Sequence, residues 1–202
     1  MILTAKKGTN ADLFPDILSL YAKERDTIAD VTYGKGSFWT KTDKSKYNLL
    51  ATDILMGVDL RNLPYVDNQV DMVILDPPYA HNGSVPLKPS IANQYNLNSV
   101  CGRNGIVELY HKGFSEAYRV LKNNGILVIK CQDEILSGRQ WWNHIELMQY
   151  CFNLGFIGED LFVLVQNGHP AMRHNYQLHA RKNHSYFIVL RKKIKKNHKL
   201  EG

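Results

Sequence analysis

The run Asp71-Met72-Val73-Ile74-Leu75, followed at once by Asp76-Pro77-Pro78-Tyr79, most constrains what this chain can fold into. A short, nearly continuous apolar run reads as a strand covered on both faces, as in parallel sheets. The two prolines then stop the ladder and remove two amide donors. The Asp76 carboxylate and the exposed carbonyls become acceptors with nothing local to bond. In open sheets of this kind ligands sit at the carboxyl ends of the strands, so the quartet marks a ligand rim.

The rest of the chain supplies neighbours for that strand. Asn10 to Lys23 reads as a helix with Leu13, Ile17, Leu20 and Tyr21 on its apolar stripe and Pro15 in its first turn. Thr27 to Val31 and Tyr47 to Thr52 read as strands that run out at Asp30 and Asp53. Ala80 to Gly105 is a long irregular stretch rich in Asn, Ser, Pro and Gly, of the kind that is usually functional. Glu108 to Leu121 reads as a helix, Ile126 to Lys130 as a strand, and Trp142 to Phe152 as the last helix. Gly158 to Val165 and Ser185 to Arg191 read as strands with no helix between them, hence an antiparallel pair. Strands alternating with helices imply a mainly parallel sheet with helices on both faces. Asp30, Asp53 and Asp76 would then lie along one rim.

Composition bounds the class. The chain has 202 residues, 44% hydrophobic and 22% charged, enough apolar content to bury a core and too much for disorder throughout. No apolar run approaches the roughly 18 residues of a membrane span, and Met1 to Asn10 does not read as a signal peptide. Three cysteines, Cys101, Cys131 and Cys151, are widely spaced, which argues against a disulfide framework and points to a cytoplasmic protein. From Gly168 to Gly202 nine Lys or Arg face one acid, a net of +8 against +6 for the whole chain. A near-neutral body with a basic end fits a polyanionic partner. The expected organisation is a domain over residues 1–192 and a basic tail over 193–202.

Two constellations carry chemistry. Asp30-Val31-Thr32-Tyr33-Gly34-Lys35-Gly36 follows a strand and places glycines where a tight turn lets a ligand approach the backbone. Asp53 lies 17 residues after Gly36, close to where an acid that holds ribose hydroxyls is expected. The third glycine of a dinucleotide fingerprint is missing, and no Gly-Lys-Ser/Thr phosphate loop follows. In the second constellation Asp76 and the carbonyls beside it can accept from a planar amino group, and Tyr79 offers a face on which a base can stack.

In this order and spacing the two constellations resemble the S-adenosylmethionine-dependent amino-methyltransferases, and more narrowly the DNA adenine and cytosine exocyclic-amine methyltransferases, including short solitary or phage-type members. The resemblance spans about Asn10 to Lys192. It implies a Rossmann-like class I methyltransferase fold, with a mainly parallel seven-stranded sheet and a final antiparallel strand. It implies S-adenosyl-L-methionine as the cofactor. Asp30, Gly34 and Gly36, with Thr32 and Tyr33 between them, would surround the methionine moiety. Asp53 would take the ribose, Asp59 would lie near the adenine, and Phe14-Pro15 would pack beside the cofactor. Asp76, Pro77, Pro78 and Tyr79 would form the catalytic quartet. The family usually has Phe where this chain has Thr32, so the aromatic wall would fall to Tyr33 or Phe38. The stretch from Asp53 to Asp59 is also short, and the usual helix and strand there must be abbreviated.

No block of about 80 residues is left over for a separate recognition domain. Nucleic-acid contacts are therefore expected from Ala80–Gly105, Leu136–Asn143 and Asn167–His184. These loops hold His81, Lys88, Arg103, Arg139, Trp141, Trp142, Arg173, Arg181 and Lys182, a mixture of basic and aromatic residues that suits nucleic acid. Arg103, Arg139, Arg173, Arg181 and Lys182 are the expected nucleic-acid-binding cations. His169, His174, His179 and His184 recur every five residues, a spacing that matches no common metal site, and no metal is expected. Lys130 and Asp133 either line the base pocket or form a buried structural ion pair. The expected reaction is methylation of the exocyclic amine of adenine in DNA by a monomer or dimer. The alternatives are an RNA enzyme acting on the 2-amino group of guanine, a DNA cytosine 4-amino methyltransferase, and a non-catalytic nucleic-acid-binding subunit.

Overall fold

A computed structural model describes residues 1–77, 102–168 and 178–193. Nine strands and three helices follow in the order β1 Ala5–Lys7, α1 Asn10–Tyr21, β2 Thr27–Asp30, β3 Asn48–Ala51, β4 Val70–Leu75, α2 Gly102–Val120, β5 Leu121–Cys131, β6 Glu134–Leu136, β7 Arg139–Trp141, α3 Asn143–Leu154, β8 Phe156–Val165 and β9 His184–Lys192 among the described residues. Seven of the strands form one sheet, ordered β1-β8-β9-β5-β4-β2-β3. Every pairing in it is parallel except those of β9, which runs antiparallel to β5 and to β8. The expected antiparallel strand is thus real, and it is inserted between two others rather than closing an edge.

The sheet is apolar on both faces because helices cover both. On one face Leu13, Phe14, Ile17 and Leu18 of α1 pack over Ile28, Met72, Ile74, Ile126 and Val128. On the other, Leu109, Tyr110, Phe114 and Ala117 of α2 and Leu147 and Cys151 of α3 pack over Ala29, Val73, Leu75, Leu127 and Ile129. Successive residues of β4 and β5 alternate between these two cores, which is why both strands read as unbroken apolar runs. The α1 stripe is centred on Phe14 and Ile17, so Leu20, expected inside, is half exposed. Pro15 lies past the first turn, where its missing N–H deprives the helix of one bond.

Three elements escaped the sequence reading. β1 pairs with β8 far along the chain. β6 and β7 form a hairpin through Ser137 and Gly138, both at positive φ (51° and 74°), the backbone of a two-residue hairpin turn that matches strand twist. α2 begins at Gly102, six residues before the expected start, and Ile106 extends its buried stripe backwards. Between β2 and β3 the crossover carries only 3-10 turns, Ser37–Lys41 and Lys44–Lys46. Between β3 and β4 it carries one, Ile54–Met56, the abbreviation that the spacing required.

Lys192, taken as the last residue before the basic tail, belongs to β9. It is 4% exposed, donates to the Leu121 carbonyl at 2.6 Å and to Asn68 Oδ1 at 2.9 Å, and lies 4.7 Å above the Tyr118 ring. Burial pushes its pKa down. Replacing it with Ala leaves the buried Leu121 carbonyl without its donor, so Lys192→Ala is expected to cost about 1–3 kcal/mol of stability in urea unfolding.

Candidate active site

The carboxyl ends of β2, β3, β4 and β5 meet at one rim, and the acids expected there are there. Asp30 ends β2 at 3% exposure. Its Oδ2 accepts from Trp39 Nε1 at 2.8 Å, and Oδ1 accepts from the Thr32 amide at 3.3 Å. Burial raises its pKa to about 7 against these two hydrogen bonds, and the charges of Asp76 and Asp53 add to the rise. That coupling shows the three acids share one electrostatic neighbourhood. Trp39, which the sequence reading did not single out, is the indole that satisfies this buried carboxylate. Phe14 contacts it edge to face at 5.0 Å and packs on Phe38 at 5.4 Å. Phe14 is itself fully buried, in the core behind Trp39. Pro15 is half-buried next to it on α1.

The glycine turn is built by its backbone. Gly34 (φ 52°) and Gly36 (φ 68°) occupy the left-handed region, which glycine enters without strain. The Gly36 amide donates to the Tyr33 carbonyl at 2.8 Å, and the Tyr33 amide to the Thr52 carbonyl at 3.0 Å. A Cβ at Gly36 would fall 2.5 Å from the Tyr33 hydroxyl, so the Tyr33 side chain folds back over the turn. At Gly34 a Cβ would meet nothing closer than the Thr32 carbonyl at 3.9 Å, which leaves that face of the turn open. Asp53 fastens the turn to the next strand end: it accepts from the Gly34 amide at 3.0 Å and from the Leu55 amide at 3.0 Å. Phe38 is buried against Phe14 and Phe187, so of the two candidates for the aromatic wall only Tyr33 stands at the turn.

Thr32 has a specific role. Its Oγ1 accepts the Asp76 amide at 2.7 Å, which ties the glycine turn directly to the start of the Asp-Pro-Pro-Tyr quartet. The Asp76 carboxylate in turn receives Lys130 Nζ at 3.2 and 3.4 Å, with 10% and 21% of the two side chains exposed. Lys130 and Asp133 do not pair with each other. Lys130 lies within β5, whereas Asp133 follows the strand and binds His144 Nδ1 at 2.7 Å. Pro77 is buried beside Asp76; Pro78 and Tyr79 lie outside the described residues.

Asp59 is engaged locally. Arg61 clasps its carboxylate at 2.6 to 3.0 Å and, against the effect of burial, holds its pKa down. Of the nucleic-acid candidates, Arg139 lies over the Trp141 ring at 4.8 Å and Lys182 over the Trp142 ring at 5.9 Å. Arg181 precedes Lys182 on the same approach to β9. Arg173 and the Arg103 side chain are outside the described residues, as are His81, Lys88, His169 and His174. Among the described residues no cluster of His, Cys, Asp or Glu could hold a metal ion, and no helix is long and apolar enough to cross a membrane.

This layout is that of a Rossmann-like methyltransferase. The chain belongs to the DNA methylase family, whose N6/N4 methyltransferase model it matches over residues 70–201. The methyl donor implied by that membership is S-adenosyl-L-methionine. A methyltransferase from Bacillus halodurans is similar in structure at a TM-score of 0.57 and 15% identity, over 90% of this chain and 99% of that one. An S-adenosylmethionine-dependent methyltransferase from Methanosarcina mazei gives 0.56 at 13% identity, over 88% and 97%. Both show the fold. A DNA modification methylase from Thermus thermophilus, solved with S-adenosyl-L-methionine, gives 0.46 at 20% identity over 67% of this chain, which spans about half (54%) of that protein. A comparison with curated proteins finds no match.

The buried Asp30 gives the rim a pH dependence. Its pKa is higher in the folded chain than in the unfolded one, near 4. Its contribution to stability is therefore greatest below pH 4 and is lost as pH rises to about 7. Asp30→Asn should remove that slope, so the stability of the variant relative to the parent should climb between pH 4 and 7 and then level off. Urea midpoints across that range measure it.

Proposed function

We propose that the protein transfers the methyl group of S-adenosyl-L-methionine to the exocyclic amine of adenine in DNA. The observation that carries this reading is Asp76, an acid at the end of a central strand, fixed through its amide by Thr32 and through its carboxylate by Lys130. It stands between the glycine turn on β2 and the basic, aromatic approach to β9. The residues fit the cofactor. Three carboxylates converge on one rim, one of them buried with a raised pKa, and a cationic ligand offsets such crowding. Gly34 leaves open backbone beside it. Asp30 and the Gly34–Gly36 turn would hold the methionine part, and Asp53 the ribose. When bound, the cofactor supplies an electrophilic methyl on a sulfonium.

The chain's own residues do the rest. The Asp76 carboxylate and the Pro77 carbonyl accept the hydrogens of the target amine, which draws its lone pair out of the ring. In this reading Asp76 also takes the proton that the amine loses. Cys131 is fully buried and burial drives its thiol pKa well up, so the route needs no cysteine nucleophile. Positioning and preorganised charge supply the acceleration. A duplex target must present its base out of the stack.

The test is incubation with isotopically labelled S-adenosylmethionine and separate DNA and RNA pools, with the modified nucleoside identified by mass spectrometry. Label in 6-methyladenine of DNA is the expected result. Label in 4-methylcytosine, or in N2-methylguanine of RNA, would move the assignment to that base, and no label in either pool would reject it.

A further inference from the structure

The rim beyond Lys130 carries a ladder of rings that the methyl-transfer chemistry does not use. Trp142 is 55% exposed, a large indole left in solvent where two segments converge. One segment is the β6–β7 hairpin, which leaves the carboxyl end of β5. The other is the approach to β9, which starts at the same end and is pinned there by Gln132 Nε2 donating to the His184 carbonyl at 2.8 Å. The indole is braced from below. It meets the His144 ring edge to face at 6.2 Å, His144 stacks on Tyr186 at 4.3 Å, and Tyr186 shares a 3.0 Å hydrogen bond with His184. His144 is locked by Asp133, which is 3% exposed, through its ring nitrogen at 2.7 Å and its amide at 3.3 Å. Lys182 projects over the exposed indole, and Arg139 over the adjoining Trp141.

We propose that Trp142, braced by the Asp133–His144–Tyr186 stack and flanked by Lys182 and Arg139, is a stacking platform for an unpaired nucleobase next to the methylated one. This rests on the reading of the protein as a nucleic-acid methyltransferase. A rigid exposed π-face with cations at its margin fits a base carrying phosphates on both sides. Paired bases within a duplex hide their faces in the stack, so the occupant is a base of a single-stranded or opened segment. The cations select against a positively charged partner and suit a polyanion. On binding, the base takes the place of the Lys182 ammonium over the ring, and the ammonium moves to a phosphate.

The experiment uses the full chain and one DNA oligonucleotide, single-stranded and as its duplex, with affinity and tryptophan emission followed together. The expected result is that the single strand quenches emission, that Trp142→Phe loses most of that quench while keeping most of the affinity, and that Trp142→Ala loses about tenfold or more in affinity. Lys182→Met should flatten the salt dependence by about one unit of slope, and Trp142→Ala should leave it unchanged. Full quench retained in Trp142→Phe, or affinity within twofold of the parent in a Trp142→Ala protein that melts normally, would overturn the proposal. Labelled methyl transfer by the unmodified protein, run on the same oligonucleotide, separates the two ideas: a chain that binds through Trp142 and transfers nothing keeps the platform and loses the enzyme.

Discussion

Asp76→Ala is expected to lower methyl transfer by about 10³-fold or more while leaving cofactor affinity within a few fold. In the proposed mechanism the Asp76 carboxylate accepts from the target amine, and groups that accept a transferred proton or hold developing charge are worth about 10² to 10⁴ each. The structure says why affinity should survive. Thr32 Oγ1 accepts the amide of residue 76, not its side chain, so the tie between the glycine turn and the quartet persists in the variant. Calorimetry for the cofactor and single-turnover rates for the methyl group check the two halves. Near-normal turnover in this variant would reject the amino-methyltransferase mechanism. Equal loss of both would place Asp76 on the cofactor instead.

The parts of the site that could be read in the sequence are those in which one local rule suffices. The Asp71–Leu75 run could only be a buried strand, and Pro77 and Pro78 had to end it, so the rim position of Asp76 followed. Gly34 and Gly36 take positive φ in a turn, as their type allowed. What stayed hidden depends on pairing across distance. β1 is three residues long with two lysines, and nothing near it announces that Ala5 sits opposite Val163. Trp39 becomes part of the site only because α1 and the 3-10 turn fold over Asp30. The hairpin turn uses Ser137 in a left-handed conformation, where Asn or Asp would have been the clearer signal.

Lys130 shows where a stricter reading would have gone further. Ile126, Val128 and Lys130 alternate onto the α1 side of β5, while Asp133 lies beyond the strand's end at odd spacing. The register supplies the partner: Leu75 pairs with Ile129, so the next residues along, Asp76 and Lys130, fall side by side. Parallel neighbours in the sheet order could be guessed from the alternation of elements, but their register could not. The same reasoning explains the basic end. Nine cations after Gly168 suggested a tail, yet Lys192 is buried in β9 and Arg191 is held by Glu159 at 2.5 Å. A charge count does not distinguish cations that close a sheet from cations that meet a polyanion.

The second large effect is expected at Lys130 itself, as a positioning residue that acts through Asp76. Lys130→Met keeps the length of the stem but removes the ammonium that contacts the Asp76 carboxylate at 3.2 and 3.4 Å. Truncating one member of a largely desolvated charge pair costs about 2 to 5 kcal/mol, and the partial exposure of both side chains argues for the lower end. A loss of roughly 30-fold in kcat is then expected. Asp30, Asp53 and Asp76 would face one another without the Lys130 ammonium, so the acid limb of the pH–rate profile should move to higher pH. That shift separates this role from a merely structural one, because a loosened fold lowers the rate at every pH alike. Lys130→Arg restores a cation beside the carboxylate and should recover much of the rate and return the limb toward its original pH. A Lys130→Met variant with the parental pH profile, whatever its rate, would show that the ion pair only holds the rim together and has no part in the reaction.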